Sequence, residues 1–285
     1  VTLSEERLKK VCECAASCKD KPLNADLVGI NMEGPFIAAQ KKGAQNPAYI
    51  HKPDAEMFRR LQKCSGGMIR LLDLAPEQEG AMELISELKD EVVLSIAHTT
   101  ADYDTATKAF AAGARHVTHL YNAMPPFAHR NPGVVGAAFD APTCRVELIA
   151  DGVHIHPSMV RATFQLFGDD RVILISDSIA ATGMPDGDYE LGGLAVRVQG
   201  NRSILREGGA IAGSATNLMQ CMRIAVKEMG IPLSSAVKCA TVNPAKEIGI
   251  FDHYGSLEAG KFANIVLLDK DLKIKHILHK GNVIC

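Results

Sequence analysis

Short apolar runs and amphipathic helical segments alternate along the chain from residue 2 to about residue 180. Six runs rich in aliphatic and β-branched residues have the length of buried strands, and they lie at 27–33, 68–74, 92–98, 116–121, 146–154 and 172–177. Apolar residues at helical spacing fill the intervals, as at 54–64, 76–89, 100–113 and 157–168. This alternation is typical of βα units around a parallel sheet.

Ionisable side chains stand at the ends of five of these six runs. They are Glu33, His98, His119, His154 and Asp177. In a (β/α) barrel the carboxyl ends of the strands form the catalytic face, and each strand contributes one or two side chains. An open doubly wound sheet would place its ligand at a single crevice instead. We therefore predict an α/β protein with a (β/α)8 TIM-type barrel, and we expect the five residues at one rim.

The strand count falls short of a closed barrel, which needs eight strands. We expect residues 1–254 to form a barrel that lacks its first two units, unless two strands have escaped the count. The tail at 255–285 contains three or four short apolar runs, too few for an independent domain. We expect it to be part of a small β-sandwich lobe. The first residue, Val1, also favours a preceding segment.

The charge and aromatic content of the chain limit the kinds of molecule that it is expected to bind. The formal net charge is -2, the aromatic content is 5%, and Lys and Arg are scattered; nucleic-acid binding usually needs a basic stripe with stacking residues. No stretch approaches the roughly 18 uninterrupted apolar residues of a membrane span, and no secretory leader is visible. We expect a soluble cytoplasmic protein that acts on a small molecule. The spacing of the eight cysteines is not that of a disulfide framework, so we expect reduced thiols.

A carboxylate and two imidazoles at strand ends predict a metal site. Glu33, His98 and His119 offer an oxygen and two nitrogens, a ligand set suited to zinc or another divalent ion. Such an ion lowers the pKa of water toward about 7 and polarises a carbonyl, so amide hydrolysis becomes feasible. Asp177 is placed to act as the general base. A strand-end histidine can also be a simple hydrogen-bonded rim residue, and we expect His116 to face away from His119 because side chains alternate along a strand.

Eight motifs carry a resemblance to a known family. They are NMEGPFI (31–37), SIAHTTADY (95–103), GARHVTHLYNAM (113–124), IADGVHIHP (149–157), ISDSIAATGMPDGDYELGG (175–193), AGSATNLM (212–219), ATVNPAKEIGI (240–250) and GSLEAGKFANIVLLD (255–269). In this order they resemble the N-acetylglucosamine-6-phosphate deacetylases of the amidohydrolase superfamily. The segments EGPF, THLYNAM and ADGxH are specific to that family, whereas NPAK and EAGKxAN indicate only the superfamily.

The resemblance implies hydrolysis of N-acetylglucosamine 6-phosphate to glucosamine 6-phosphate and acetate by a metal-activated water. It makes Glu33, His98 and His119 the metal ligands and Asp177 the catalytic base and acid. The substrate-binding residues that it implies are Asn122, the backbone of Ala123, and Arg130 for the phosphate, His154 for the sugar, and position 45, where Gln45 replaces the His of some members. Gln cannot titrate, so any proton transfer at position 45 is in doubt.

The resemblance leaves several properties open. One or two divalent ions are compatible with it, with zinc as the first candidate and iron or manganese as alternatives. The family is usually homodimeric, and a neighbour's side chain reaches the substrate. The rival hypotheses are another metal-dependent amidohydrolase, such as a cyclic amide hydrolase or a deaminase, and a non-catalytic homologue that acts as a scaffold. Arg130 and Asn122 would separate the first rival from the deacetylase, and Asp177 argues against the second.

Overall fold

The computed structural model describes residues 2–18 and 25–284, and its centre is a sheet of six parallel strands. The strands are β1 (Ile30–Phe36), β2 (Ile69–Leu74), β3 (Val93–Ile96), β4 (His116–Val117), β5 (Arg145–Ile149) and β6 (Val172–Ile175). Each strand pairs with the next one along the chain. All six predicted strands are therefore confirmed, and their sequential order is that of consecutive barrel units.

In the described residues, one helix precedes β1, five connect successive strands of the sheet, and three follow β6. The helices are α1 (Glu5–Cys18), α2 (Ala55–Cys64), α3 (Ala81–Leu88), α4 (Tyr103–Ala112), α5 (Gly133–Asp140), α6 (Pro157–Phe167), α7 (Leu218–Lys227), α8 (Leu233–Ala240) and α9 (Val242–Glu247). Aspartates begin two of them: Asp54 accepts from the Met57 N–H at 2.9 Å, and Asp102 from the Thr105 N–H at 2.8 Å. Every residue of β3 is buried, as expected for a strand that is covered on both faces.

A second sheet follows β6 and was not predicted. Its strands are β7 (Gly187–Leu191), β8 (Leu194–Gln199) and β9 (Arg202–Leu205), paired antiparallel in that order. Val196, Leu205 and Ala212 form a small core beneath it. The sequence does carry a signal for this sheet: Gly192 and Gly193 follow β7, Gly200 follows β8, and all three have the positive φ that tight hairpin turns require. The alternation of polar and apolar residues across 187–205 is a second sequence signal for these strands.

The tail forms a third sheet, as its short apolar runs predicted. Its strands are β10 (Ile265–Leu268), β11 (Ile274–His279) and β12 (Asn282–Val283). Asp26, just before β1, joins this sheet to the barrel, because its carboxylate is 2.8 Å from Nζ of Lys280 and 3.0 Å from Nε2 of His279. Six of the described cysteines carry free thiols, namely Cys12, Cys14, Cys64, Cys144, Cys221 and Cys239, and Cys285 lies outside the described residues.

No helix in the described ranges is both long and apolar enough to cross a membrane.

Candidate metal and substrate site

Three side chains converge on one point: Glu33 from within β1, and His98 and His119 from just after the ends of β3 and β4. Nε2 of His98 lies 2.9 Å from Oε1 of Glu33, and Nε2 of His119 lies 3.2 Å from the same oxygen. The two Nε2 atoms are 3.1 Å apart, and one ligand atom of each residue falls within a common 4.8 Å. Two imidazole nitrogens and a carboxylate oxygen that face one point form a suitable donor set for a divalent cation such as zinc.

The main chain orients one of these imidazoles. Nδ1 of His98 lies 2.7 Å from the carbonyl oxygen of Lys41. When Nδ1–H donates to that carbonyl, Nε2 carries the lone pair that faces Glu33 and His119. Histidine ligands in metal sites are typically held in this way by their second nitrogen. The predicted ligand set therefore fits a metal ion in its donor types, its spacing and the orientation of His98.

A shared backbone conformation directs three side chains of the site toward its centre. His98, His119 and Asp177 each stand two residues after the end of their strand, at β3, β4 and β6, and their φ angles are 44°, 34° and 51°. Such left-handed residues are uncommon unless they are glycine. Each costs about 1–3 kcal/mol, and they cluster at functional sites. The surrounding packing therefore holds three residues of the site in a costly conformation.

The prediction that His116 faces away from His119 is wrong. Both residues line a second cavity, of about 470 Å³, inside the sheet. Strand β4 ends at Val117, so the alternation of side chains stops before His119, and the left-handed turn brings that imidazole back inward. His116 is fully buried between Glu147 and Glu247, at 3.1 Å and 3.4 Å, which is a structural setting.

The pKa values of the two carboxylates in the site are shifted in opposite directions. Burial raises the pKa of Glu33, but hydrogen bonds from His119 and His98 outweigh it and hold that pKa well below its usual range. Burial and the negative charge of Glu33 raise the pKa of Asp177 to about 6. Burial lowers the pKa of His119, yet Glu33 reverses this and raises it to about 9. Positive charge is thus favoured where a metal ion would lie, and Asp177 is suited to exchange protons near neutral pH.

A cavity of about 540 Å³ brings most of the predicted site together. Its lining contains eight of the nine residues that the sequence singled out, namely Glu33, Gln45, His98, His119, Asn122, Ala123, His154 and Asp177. The ninth, Arg130, is exposed and is not part of that lining; its Nη1 donates to Nε2 of the adjacent His129 at 3.0 Å. Its contact with a phosphate stays a prediction.

The loop after β4 presents a tight turn to this cavity. Asn122 N–H donates to the carbonyl of His119 at 2.9 Å, and the Asn122 side-chain amide lies 3.3 Å from the same oxygen. Ala123 has a φ of 50°, and its carbonyl accepts from the Thr99 N–H at 3.0 Å. The turn is fixed from both sides, which leaves it able to present polar groups to an anion.

Sequence reasoning missed a buried carboxylate behind His154. Asp151 is 1% exposed, and its carboxylate is 2.8 Å from Nδ1 of His154. It also accepts from Ser214 Oγ at 3.1 Å and from the backbone N–H groups of Val153 and His154. Ser214 N–H in turn donates to the carbonyl of Asp177 at 2.7 Å. Asp151 therefore connects His154 to the loop behind Asp177. The ADGVH motif contained this signal, because an Asp three residues before a His can reach it.

Gln45 is buried at the edge of the cavity. Its side-chain oxygen accepts from the backbone N–H of Thr2 at 2.6 Å. The amide thus holds residue 2 against the loop after β1.

Most of the chain matches a known family. The model of the amidohydrolase family matches residues 11–284. The chain belongs to the amidohydrolase family. It is 40% identical over 272 residues to the N-acetylglucosamine-6-phosphate deacetylase of Bacillus subtilis (strain 168), covering 95% of this chain and 68% of that protein. It is also 34% identical over 270 residues to the N-acetylgalactosamine-6-phosphate deacetylase of Escherichia coli O157:H7, covering 94% and 71%.

Solved structures agree with these amidohydrolase relatives. A mutant N-acetyl-D-glucosamine-6-phosphate deacetylase from Mycobacterium smegmatis, in complex with N-acetyl-D-glucosamine-6-phosphate, superposes with a TM-score of 0.93 at 36% identity. The superposition covers 100% of this chain and 74% of that one. The deacetylase from Thermotoga maritima gives a TM-score of 0.89 at 31% identity, covering 100% and 77%. The predicted barrel fold and family resemblance are confirmed.

Proposed function

We propose that the protein hydrolyses the acetamide of N-acetylglucosamine 6-phosphate to give glucosamine 6-phosphate and acetate. One observation carries the proposal: Asp177 shares a single cavity with the converging ligands Glu33, His98 and His119 and with the turn at Asn122. A non-catalytic scaffold would have no need to hold a proton-exchanging carboxylate beside three metal ligands. The deacetylases that the chain resembles supply the substrate class.

We propose that Glu33, His98 and His119 hold a divalent ion, with zinc as the first candidate and iron or manganese as alternatives. When bound, the ion polarises the acetyl carbonyl and makes water more acidic. The number of ions, one or two, is to be counted by metal analysis of the purified protein.

Asp177 moves the proton in this reaction. Its carboxylate takes a proton from the attacking water, whose oxygen forms a new bond to the acetyl carbon. The same carboxyl group then gives that proton to the amine nitrogen as the carbon–nitrogen bond breaks. A pKa of about 6 allows both roles near neutral pH, and a bound cation would lower it by attraction. The leaving amine is thereby released neutral.

The remaining lining residues position the sugar phosphate. His154 faces the cavity with its Nδ1 held by Asp151, so its Nε2 is available to a sugar hydroxyl. The turn at Asn122 and Ala123 is proposed to receive the phosphate, together with Arg130. Arg130 is exposed and does not line the cavity of its own subunit. We therefore propose that it reaches the cavity of a second subunit in a homodimer. Gln45 is proposed as a hydrogen-bonding contact without a role in proton transfer.

Acetate release tests the proposed function directly. The metal-loaded protein is assayed with N-acetylglucosamine 6-phosphate, the 4-epimer N-acetylgalactosamine 6-phosphate, unphosphorylated N-acetylglucosamine and a cyclic amide. We expect the first substrate to have the highest kcat/KM. A preference for the galactose epimer would move the proposal to the other named deacetylase, and turnover of the cyclic amide alone would refute it.

We also propose a cytoplasmic location and a division of the chain into a barrel region at 1–254 and a C-terminal lobe portion at 255–285. The small-molecule substrate class of the relatives supports the first. The separate antiparallel pairing of β10, β11 and β12 supports the second. Limited proteolysis between residues 254 and 265 would test the boundary.

A further inference from the structure

One lysine lines the cavity, and neither the motifs nor the proposed mechanism uses its side chain. Among the described residues that line the cavity, Lys41 is the one Lys or Arg. We propose that Lys41 is a specificity-determining residue that binds the phosphate of the substrate. This inference rests on the proposed function for its substrate, although the anion site can be tested without turnover.

The position of the ammonium group supports this role. Nζ of Lys41 lies 3.3 Å from the carbonyl oxygen of Met124, so it stands beside the turn formed by Asn122 and Ala123. A Lys ammonium has three N–H donors, and a single contact to a carbonyl leaves donors for a second acceptor. Lys41 and the turn therefore line the cavity together, with the ammonium next to the turn.

The main chain of Lys41 is fixed while its side chain is half-buried. The residue ends a short 3-10 turn, Ala39–Lys41, in which its N–H donates to the carbonyl of Ala38 at 3.0 Å. Its own carbonyl lies 2.7 Å from Nδ1 of His98. The same residue thus orients a metal ligand through its backbone and places its ammonium beside the turn that lines the cavity. The backbone contact keeps Lys41 next to the metal ligand His98, and the side chain extends from there to the turn.

The charge of the cavity gives Lys41 its importance. Two carboxylates, Glu33 and Asp177, line the cavity and would repel a phosphate dianion. A bound divalent ion offsets them at the reacting end only. A cation is therefore needed at the phosphate end, and Lys is a good phosphate ligand as a point charge. Arg130 lies outside this lining, so Lys41 supplies that charge within the subunit itself.

The test compares Lys41→Met, which keeps the length but removes the charge, with Lys41→Arg, which keeps the charge. We expect Lys41→Met to lower kcat/KM for N-acetylglucosamine 6-phosphate by about 10- to 100-fold, in the range of one charge-assisted hydrogen bond. The unphosphorylated sugar should change by less than about twofold, and Lys41→Arg should recover most of the loss. Lys42→Met is the matched control: this neighbouring lysine is outside the cavity lining and should behave as wild type.

A binding measurement separates this inference from the proposed function. Inorganic phosphate is titrated into the metal-loaded protein by calorimetry, and Lys41→Met should weaken its binding by about tenfold or more while metal content is unchanged. If the wild type hydrolyses none of the sugars but still binds phosphate through Lys41, the proposed function fails and the anion site stands. Equal losses of kcat/KM on phosphorylated and unphosphorylated sugars, or unchanged phosphate binding, would overturn the role of Lys41.

Discussion

Asp151 and His154 form a buried pair in which the Asp151 carboxylate accepts from Nδ1 of the imidazole at 2.8 Å. Burial raises the pKa of Asp151, but the hydrogen bond and the charge of His154 outweigh it and lower that pKa. The carboxylate therefore stays ionised and fixes the imidazole tautomer whose Nε2 faces the cavity, as a buried Asp does in other hydrolytic sites.

Replacing this carboxylate should impair substrate binding more than metal binding. Asp151→Asn is expected to lower kcat/KM by about 10- to 100-fold, because a charge-assisted hydrogen bond is lost and either tautomer becomes accessible. Nitrogen-15 NMR of His154 should show a mixed tautomer. Ser214→Ala removes one hydroxyl contact to Asp151 and should have a smaller effect. An unchanged tautomer in Asp151→Asn would contradict this account.

Asp177→Asn should leave the metal content intact and lower turnover by roughly 10²-fold or more, because a general acid and base contributes about 10²–10⁴. Metal analysis and kcat are measured on the same preparation. Asp188→Asn provides a control, since that aspartate is exposed and pairs with Arg197 in the sheet of β7, β8 and β9, at 2.7 Å. Near-normal turnover in purified, metal-loaded Asp177→Asn would remove the residue from the mechanism.

The pH profile should reflect the same carboxyl group. Burial and Glu33 raise the pKa of Asp177 to about 6, and a base must lose its proton to act, so activity should fall as the pH falls through this pKa. A bound cation lowers the pKa, which places the acid limb of kcat/KM at or below about pH 6. An acid limb above pH 7 would contradict the assignment of Asp177 as the base.

The strand ends made much of the site predictable. Glu33, His98, His119 and Asp177 were visible because an ionisable residue that closes an apolar run stands at one rim whatever the details of packing. Their left-handed backbone was not visible, since tertiary packing imposes it on residues that disfavour it. Lys41 and Asp151 escaped notice because a lysine in a loop and an acid in a turn normally lie in solvent. The β7–β9 sheet was missed although its glycine turns were present.

Removal of the metal should destabilise the fold as well as abolish activity. A ligand that binds only the folded state at 100 times its Kd contributes about 2.7 kcal/mol. We expect chelation to lower the melting temperature and zinc to restore it. Glu33→Gln should weaken that response, because one of the three ligands loses its charge. A melting temperature that is insensitive to chelator in the wild type would contradict a resident metal at this site.

The last prediction concerns stability and uses the buried cluster around His116. Glu247, at the end of α9, is 3% exposed and forms an ion pair with Arg145 as well as with His116. Burial raises the pKa of Glu247, but the positive charges of His116 and Arg145 outweigh it and lower that pKa from 4.5 to about 2. Burial lowers the pKa of His116, yet Glu147 and Glu247 raise it from 6.5 to about 10.

These shifts define a pH window for the cluster. A depressed carboxyl pKa stabilises the fold above about pH 4.5, and this contribution is lost as the pH falls toward 2. A raised imidazole pKa stabilises it below about pH 6.5, and this contribution is lost as the pH rises toward 10. Both contributions are therefore fully present only between about pH 4.5 and 6.5.

Glu247→Gln should lower the free energy of unfolding by about 3–5 kcal/mol at pH 6, the usual cost of leaving a buried charge without its partner. Urea unfolding from pH 3 to pH 9 measures it, and the difference from wild type should shrink below pH 4.5 and above pH 6.5. Glu258→Gln is the control: its side chain is 60% exposed and lies 3.7 Å from Lys261, so we expect a change within about 0.5 kcal/mol. A loss in Glu247→Gln that is the same at every pH would mean that packing, and not charge, accounts for the effect.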